Sequence, residues 1–222
     1  SWARRRVQET GFYTKCFGLF RRKVTTIYNG LDFSAFPAAA PRHAVRGRAR
    51  ILFVGRLDAQ KNPLMLLRVA EKVCARYPDT KFTLVGDGEL MEACRKFIRE
   101  HGLSYNVELA GWQGDTARFY ASHDIFAMTS IYEAFGLIFL EAGYYELPVV
   151  ATAVEGVPEV VEDGVTGLLS DPEDADRFAD NLIRLIENPE ERMAMGRAGR
   201  QRVTTRFNSE RMCREYLDLY ND

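Results

Sequence analysis

Ile51-Leu52-Phe53-Val54-Gly55-Arg56-Leu57-Asp58-Ala59-Gln60-Lys61-Asn62-Pro63 is the stretch on which the fold turns. Its first four residues form a continuous apolar run of the length of a strand buried on both faces, and Gly55 ends it. Pro63 suits the first turn of a helix, where its missing N–H would have no partner anyway. Leu66, Leu67, Ala70, Val73, Cys74 and Tyr77 then recur at helical spacing, which predicts a helix from Pro63 to about Tyr77. Strand, loop and helix follow one another within 27 residues.

Outward from there the unit repeats in type. Strands are predicted at Lys81–Val85, Val107–Leu109, Ile125–Met128, Val149–Ala151 and Gly167–Leu169. Between them fall helices at about Glu89–Glu100, Thr116–Ala121, Phe135–Tyr145 and Pro158–Glu162. Three more helices should close the chain: one carried by Ala175, Phe178, Ala179, Leu182, Ile183 and Ile186, then two beginning near Pro189 and Ser209. Strands alternating with helices imply an α/β fold, a doubly wound parallel sheet with helices on both faces. Ligands of such sheets sit outside the carboxyl ends of the strands, so the loops after Val54, Val85, Leu109, Met128 and Ala151 are where a site is expected. Several carry glycine, which lets backbone approach a ligand.

The 222 residues suit one well-buried domain with attached segments, and their 46% apolar and 27% charged composition is that of a globular protein. No apolar run approaches the 18 residues of a membrane-spanning helix. A net charge of −1 hides an imbalance: residues 1–50 hold eleven Lys or Arg against two acids, and the remainder is correspondingly acidic. Phe12, Tyr13, Phe17 and Phe20 interleave with Arg21, Arg22 and Lys23. That pattern fits an amphipathic membrane-surface segment or an exposed interdomain contact, and leaves both open. Nucleic acid is not an expected partner. Cys16, Cys74, Cys94 and Cys213 lack metal-ligand spacing; Cys74 and Cys213 read as small buried hydrophobes, and a reducing, cytoplasmic setting is expected.

The usual nucleotide signatures, a Gly-rich dinucleotide fingerprint and a phosphate loop with Gly-Lys-Ser or Gly-Lys-Thr, do not occur. Instead Arg56 and Lys61 sit in a strand-to-helix loop ahead of a helix N-terminus, where cations oppose the helix dipole unless an anion lies among them. A phosphate there would be held by both cations and by the free amides; pairing with surface acids is the plainer alternative. Past Met128 come Ser130-Ile131-Tyr132-Glu133-Ala134-Phe135-Gly136-Leu137, with Gly136 opening a helix and Glu141 about 7 Å along it at 1.5 Å per residue. A carboxylate accepts hydrogen bonds from neighbouring hydroxyls, so Glu133 and Glu141 suit the two sugars flanking a diphosphate at Gly136 and Leu137. Two carboxylates also raise glycoside hydrolysis, but that reaction has no use for Arg56 and Lys61. Asp174-Ala-Asp176 reads as a helix cap rather than a metal pair, and His43, His101 and His123 show neither metal-ligand nor catalytic-triad spacing.

Val24 to Asp32, Gly55-Arg56 with Lys61-Asn62, Glu133 with Glu141, Pro148 to Thr152, and Gly156-Val157-Pro158-Glu159-Val160 together resemble the retaining GT-B glycosyltransferases, specifically the group-one (family four) type. The resemblance spans Lys23 to the C-terminus. It implies a Rossmann-like domain forming the C-terminal, nucleotide-sugar-binding half of a GT-B fold. In similar enzymes the matches of Arg56 and Lys61 hold the donor diphosphate and that of Glu133 contacts the donor sugar. The match of Glu141 contacts the ribose, and amides at Phe135, Gly136 and Leu137 meet the phosphates. The matches of Gly55, Gly86, Gly88 and Trp112 lie near the donor in those enzymes. The implied reaction is sugar transfer with retention to a saccharide or lipid acceptor, with no essential metal and no cofactor. A non-catalytic nucleotide-sugar-binding module and a GT-B nucleotide-sugar epimerase are the alternatives.

By the same resemblance residues 1–33 are the last helix and strand of an N-terminal acceptor domain missing from this chain, whose opening Ser1-Trp2-Ala3-Arg4 reads as mid-helix. Residues 34–49 are a linker, 50–206 the nucleotide-sugar domain, and 207–222 a helix crossing back to the missing domain. A fragment of this kind is expected to be inactive alone. Two departures stand out: Glu155 where the family often has glycine, and Tyr144-Tyr145 where it usually has small residues.

Overall fold

The computed structural model describes residues 25–37 and 45–221. Six strands, β1 (Arg50–Val54), β2 (Lys81–Val85), β3 (Val107–Gly111), β4 (Ile125–Met128), β5 (Val149–Thr152) and β6 (Gly167–Ser170), form one sheet. Every neighbouring pair runs parallel, in the order β3-β2-β1-β4-β5-β6. Eight α-helices are described: α1 (Pro63–Arg76), α2 (Met91–Glu100), α3 (Ala117–Ser122), α4 (Leu137–Tyr144), α5 (Val157–Val160), α6 (Ala175–Glu187), α7 (Pro189–Arg206) and α8 (Ser209–Asn221). The doubly wound α/β expectation holds, and the strands lie within two residues of where the apolar runs put them. Phe135 and Gly136 stay outside α4, because Gly136 adopts a left-handed conformation (φ 78°) that no helix continues through.

β1 lies inside the sheet because the chain winds one way from it to β2 and β3, then returns to its other side for β4, β5 and β6. The loops leaving β1 and β4 therefore stand side by side where the winding reverses and border a crevice at the carboxyl edge. Helix α1 packs against α2 and α6, while α4 packs against α7. Ile51, Leu52 and Phe53 of β1, all of β4 and all of β5 are buried between these layers. Asp174 caps α6 by accepting from the Arg177 amide at 2.8 Å, as a capping acid should. Arg192, also buried, donates to the carbonyls of Val45, Arg48 and Leu185 at 3.1–3.3 Å, which ties the segment before β1 to the α6–α7 turn. Tyr144 and Tyr145 serve packing: Tyr144 stacks on Phe33, and Tyr145 is buried against Tyr120.

Cys213 departs from expectation. Cys74 and Cys94 are buried, and burial pushes their thiols up to about 12 and about 11. Cys213 is exposed, because among the described residues α8 is only partly covered and buries none of its own side chains. Cys16, His43 and the aromatic-basic stretch lie outside the described residues. Leu31 meets the start of α8, its amide donating to Phe207 O at 2.9 Å and its carbonyl accepting from the Ser209 amide at 3.0 Å. No helix among the described residues is long and apolar enough to cross a membrane.

Candidate functional site

The β1 loop and the β4 loop meet at the crevice. Asp58 accepts from the Lys61 amide at 2.9 Å and turns the chain so that Lys61 points along the crevice rather than outward. Its amine is in direct contact with the Glu133 carboxylate, and both side chains are nearly buried, 13% and 11% exposed. Loop-to-loop bonds hold them there. The Ile131 amide donates to Gln60 O at 2.8 Å, the Gln60 side-chain amide to Tyr132 O at 3.1 Å, and the Thr129 hydroxyl to the Lys61 and Asn62 carbonyls.

Arg56 is less committed. Its guanidinium is 70% exposed and touches Asp58 at 3.0 Å and Gln60 at 3.3 Å. Through Gln60 it stands beside the Tyr132–Glu133 backbone, on the same rim as Lys61. Both cations thus have acids near them, but Lys61 takes the site's own Glu133 rather than a surface acid.

The left-handed Gly136 turns the β4 loop into α4. A Cβ there would come within 2.5 Å of the Phe139 ring, so only glycine fits. The amides of Gly136 and Leu137 then form the open start of α4, with exposed Leu137, Ile131 and Tyr132 around it. Gly156 supports this segment from below: its amide donates to Glu133 O at 3.0 Å, and a Cβ on it would lie 1.9 Å from Ala134 O. Phe135 faces away from the crevice and stacks on Tyr28, with Phe207 edge-on. Glu155, just before Gly156, has φ +38°, a conformation glycine adopts freely and glutamate does not.

Glu141, one turn into α4, is half-buried, and burial raises its carboxyl above the ordinary glutamate value while a hydrogen bond from Tyr120 pulls the other way. Tyr120, from α3, was not legible as a partner because nothing in its spacing points at α4. Gly86 and Gly88 are required by the packing of the chain on itself. Cβ atoms on them would fall 1.9 Å from Gly55 O and 2.5 Å from Leu57 O, so their close approach is to the β1 loop itself. Gly55 carries no such constraint. Trp112 is 75% exposed in the loop after β3. β3 is the third strand from β4, roughly 14 Å across the sheet at ~4.8 Å per strand, so only an elongated ligand could touch both Trp112 and Glu133. No group of three or more His, Cys, Asp or Glu among the described residues is placed to hold a metal ion.

The stretch of sequence that builds this paired cation and acid at the switch point matches a known family. The model for "Glycosyl transferases group 1" matches residues 39–202. The chain belongs to this family. The lipopolysaccharide core biosynthesis glycosyltransferase LpsE of Rhizobium meliloti is 34% identical over 65% of the chain and 43% of its own length. The structure of Anabaena Alr3699/HepE in complex with UDP and glucose superposes with a TM-score of 0.73 at 25% identity, covering 78% of this chain and 48% of that one. The C-terminal domain of the group 1 family protein LpcC from Francisella tularensis superposes over its entire length and 81% of this chain, with a TM-score of 0.72 at 25% identity. This group 1 chain spans about half the length of the curated relatives it matches. Its sheet is the Rossmann-like domain of a GT-B fold.

Proposed function

We propose that the crevice between the β1 and β4 loops binds a nucleoside-diphosphate sugar and is the donor half of an enzyme that transfers the sugar with retention to a saccharide or lipid acceptor. The contact of Lys61 with Glu133 beside the start of α4 carries this reading. Arg56, Lys61 and the amides of Gly136 and Leu137 supply positive charge where a departing diphosphate gathers negative charge, which is the part of such a reaction a protein can stabilise most. Glu133 accepts from the donor sugar and Glu141 from the ribose, so the donor lies along the segment with its diphosphate between the two acids. Fixed cations and a helix start do the work a divalent metal would otherwise do, and the transfer is metal-independent in this reading. UDP and glucose in the crystal of Alr3699/HepE support a donor of this class. Transfer needs an acceptor-binding half, so the chain alone binds donor without turnover. The setting is cytoplasmic, with the basic aromatic front as a contact to the inner membrane face.

Calorimetry with UDP, GDP and ADP in the presence of a chelator tests this. One of them should bind, and Lys61→Ala should weaken it by about tenfold or more, the worth of one charge-assisted contact. Affinity unchanged by Lys61→Ala, or lost on adding chelator, would count against the scheme.

A further inference from the structure

The Thr129 hydroxyl is fully buried, and its one proton lies between two carbonyls, Lys61 O at 3.1 Å and Asn62 O at 2.9 Å. Those carbonyls belong to the turn that ends the β1 loop, where Asn62 has φ +49° and caps α1 without a side-chain hydrogen bond. A left-handed non-glycine residue persists only where its surroundings hold it. Thr129 leaves the end of β4, four residues before Glu133. One level along, the Thr152 hydroxyl at the end of β5 donates to Ser130 O, so the segment that follows β4 and holds Thr129 is itself pinned. The same short segment therefore presents Glu133 to the Lys61 amine and grips the backbone of Lys61 from below.

We infer that Thr129 is the positioning residue that holds Lys61 on Glu133, by fastening the Lys61–Asn62 carbonyls to the end of β4. Its bearing on donor binding rests on the function proposed above; its action on Lys61 does not. A β-branched side chain is stiff about its first torsion, so the hydroxyl is offered at one height. Valine has the same shape and offers no proton, whereas serine keeps the proton and loses only a methyl group.

Competitive acetylation of lysine amines, read by mass spectrometry on the full chain, tests the inference without any ligand. Exposed Lys96 is the internal reference. In the wild type Lys61 should react slowly. Thr129→Val should raise its rate relative to Lys96 by about three- to tenfold, the worth of one hydrogen bond, and Thr129→Ser should restore protection. Thr129→Ala serves as a second proton-free variant should valine impair folding, which circular dichroism reports. Lys61 protection unchanged in a folded proton-free variant, or lost equally in the serine variant, overturns the inference. Nucleoside diphosphate affinity is the second readout. Thr129→Val should weaken it in the wild type and have no effect in a Lys61→Ala background, and equal losses in both would show that Thr129 does not act through Lys61. If no diphosphate binds the wild type, the donor assignment fails while the acetylation result still decides the role of Thr129.

Discussion

Gly156→Ala is the most searching single change. Gly156 has φ −80°, which any residue adopts, so only the space above it requires glycine. A Cβ there would lie 1.9 Å from Ala134 O and 3.2 Å from the Phe135 Cα. Since carbon and oxygen normally approach no closer than about 3.3 Å, residues 134–135 must retreat by about 1.4 Å. That overpacking costs about 1–3 kcal/mol. It also stretches the bond from the Gly156 amide to Glu133 O, for about 1 kcal/mol more. The variant should lose about 2–4 kcal/mol, which at this chain length is on the order of 5–15 °C in Tm. Because the displaced segment carries Glu133 and leads into Gly136, diphosphate affinity measured on the still-folded variant at low temperature should fall by about tenfold or more. Denaturant titration and calorimetry give the two numbers. Glu155→Gly is the control: relief of its left-handed strain is set against a more flexible unfolded chain, leaving stability within about 1 kcal/mol of wild type. A Gly156→Ala protein as stable as wild type would refute the close approach, and one destabilised but binding normally would remove this segment from the site.

Two further outcomes are expected. Glu141 has its carboxyl raised above 4.5 chiefly by burial, so the folded chain holds that proton more tightly than the unfolded chain. Its contribution to stability is full below the unfolded value and declines as pH rises through the folded one. Glu141→Gln cannot ionise, so its stability relative to wild type should rise as pH increases past 4.5, and a pH-independent difference in denaturant titrations would show that Glu141 is not desolvated. On the α4–α7 contact, a Cβ on Gly199 would meet only the Gly143 Cα at 3.7 Å, whereas one on Gly143 would strike Val203 at 2.8 Å. Gly199→Ala should therefore stabilise by up to about 1 kcal/mol through helix propensity, and Gly143→Ala should destabilise by about 1–3 kcal/mol, thermal melts separating the two.

Local patterns carried the fold and most of the crevice. Apolar runs such as Ile51–Val54 and helical spacing such as that of Leu66, Ala70 and Val73 are properties of neighbouring residues, so they can be read without coordinates. Arg56, Lys61 and Glu133 were legible for the same reason: they stand in strand-to-helix loops, which face one edge of a parallel sheet, and Glu141 follows in the first turns of the helix that the second loop opens. Thr129, Gln60 and Tyr120 were not. A buried threonine or a loop glutamine resembles many others in sequence, and each matters here only through a partner about 20 to 70 residues away. Cys213 misled because an apolar helical face shows what a residue can pack against, and among the described residues nothing buries that face of α8.

Alone, then, the order of residues determined that this chain forms a doubly wound parallel sheet and which loops carry cations and acids, because burial and helical period act over a few residues at a time. That Lys61 meets Glu133 rather than a surface acid, that Gly86 and Gly88 accommodate the β1 loop, and that Gly156 holds up the Glu133 segment were decided only in three dimensions. Those contacts join strands placed side by side by the reversal of winding between β1 and β4, and the space left for a Cβ or a hydroxyl proton depends on atoms far away along the chain.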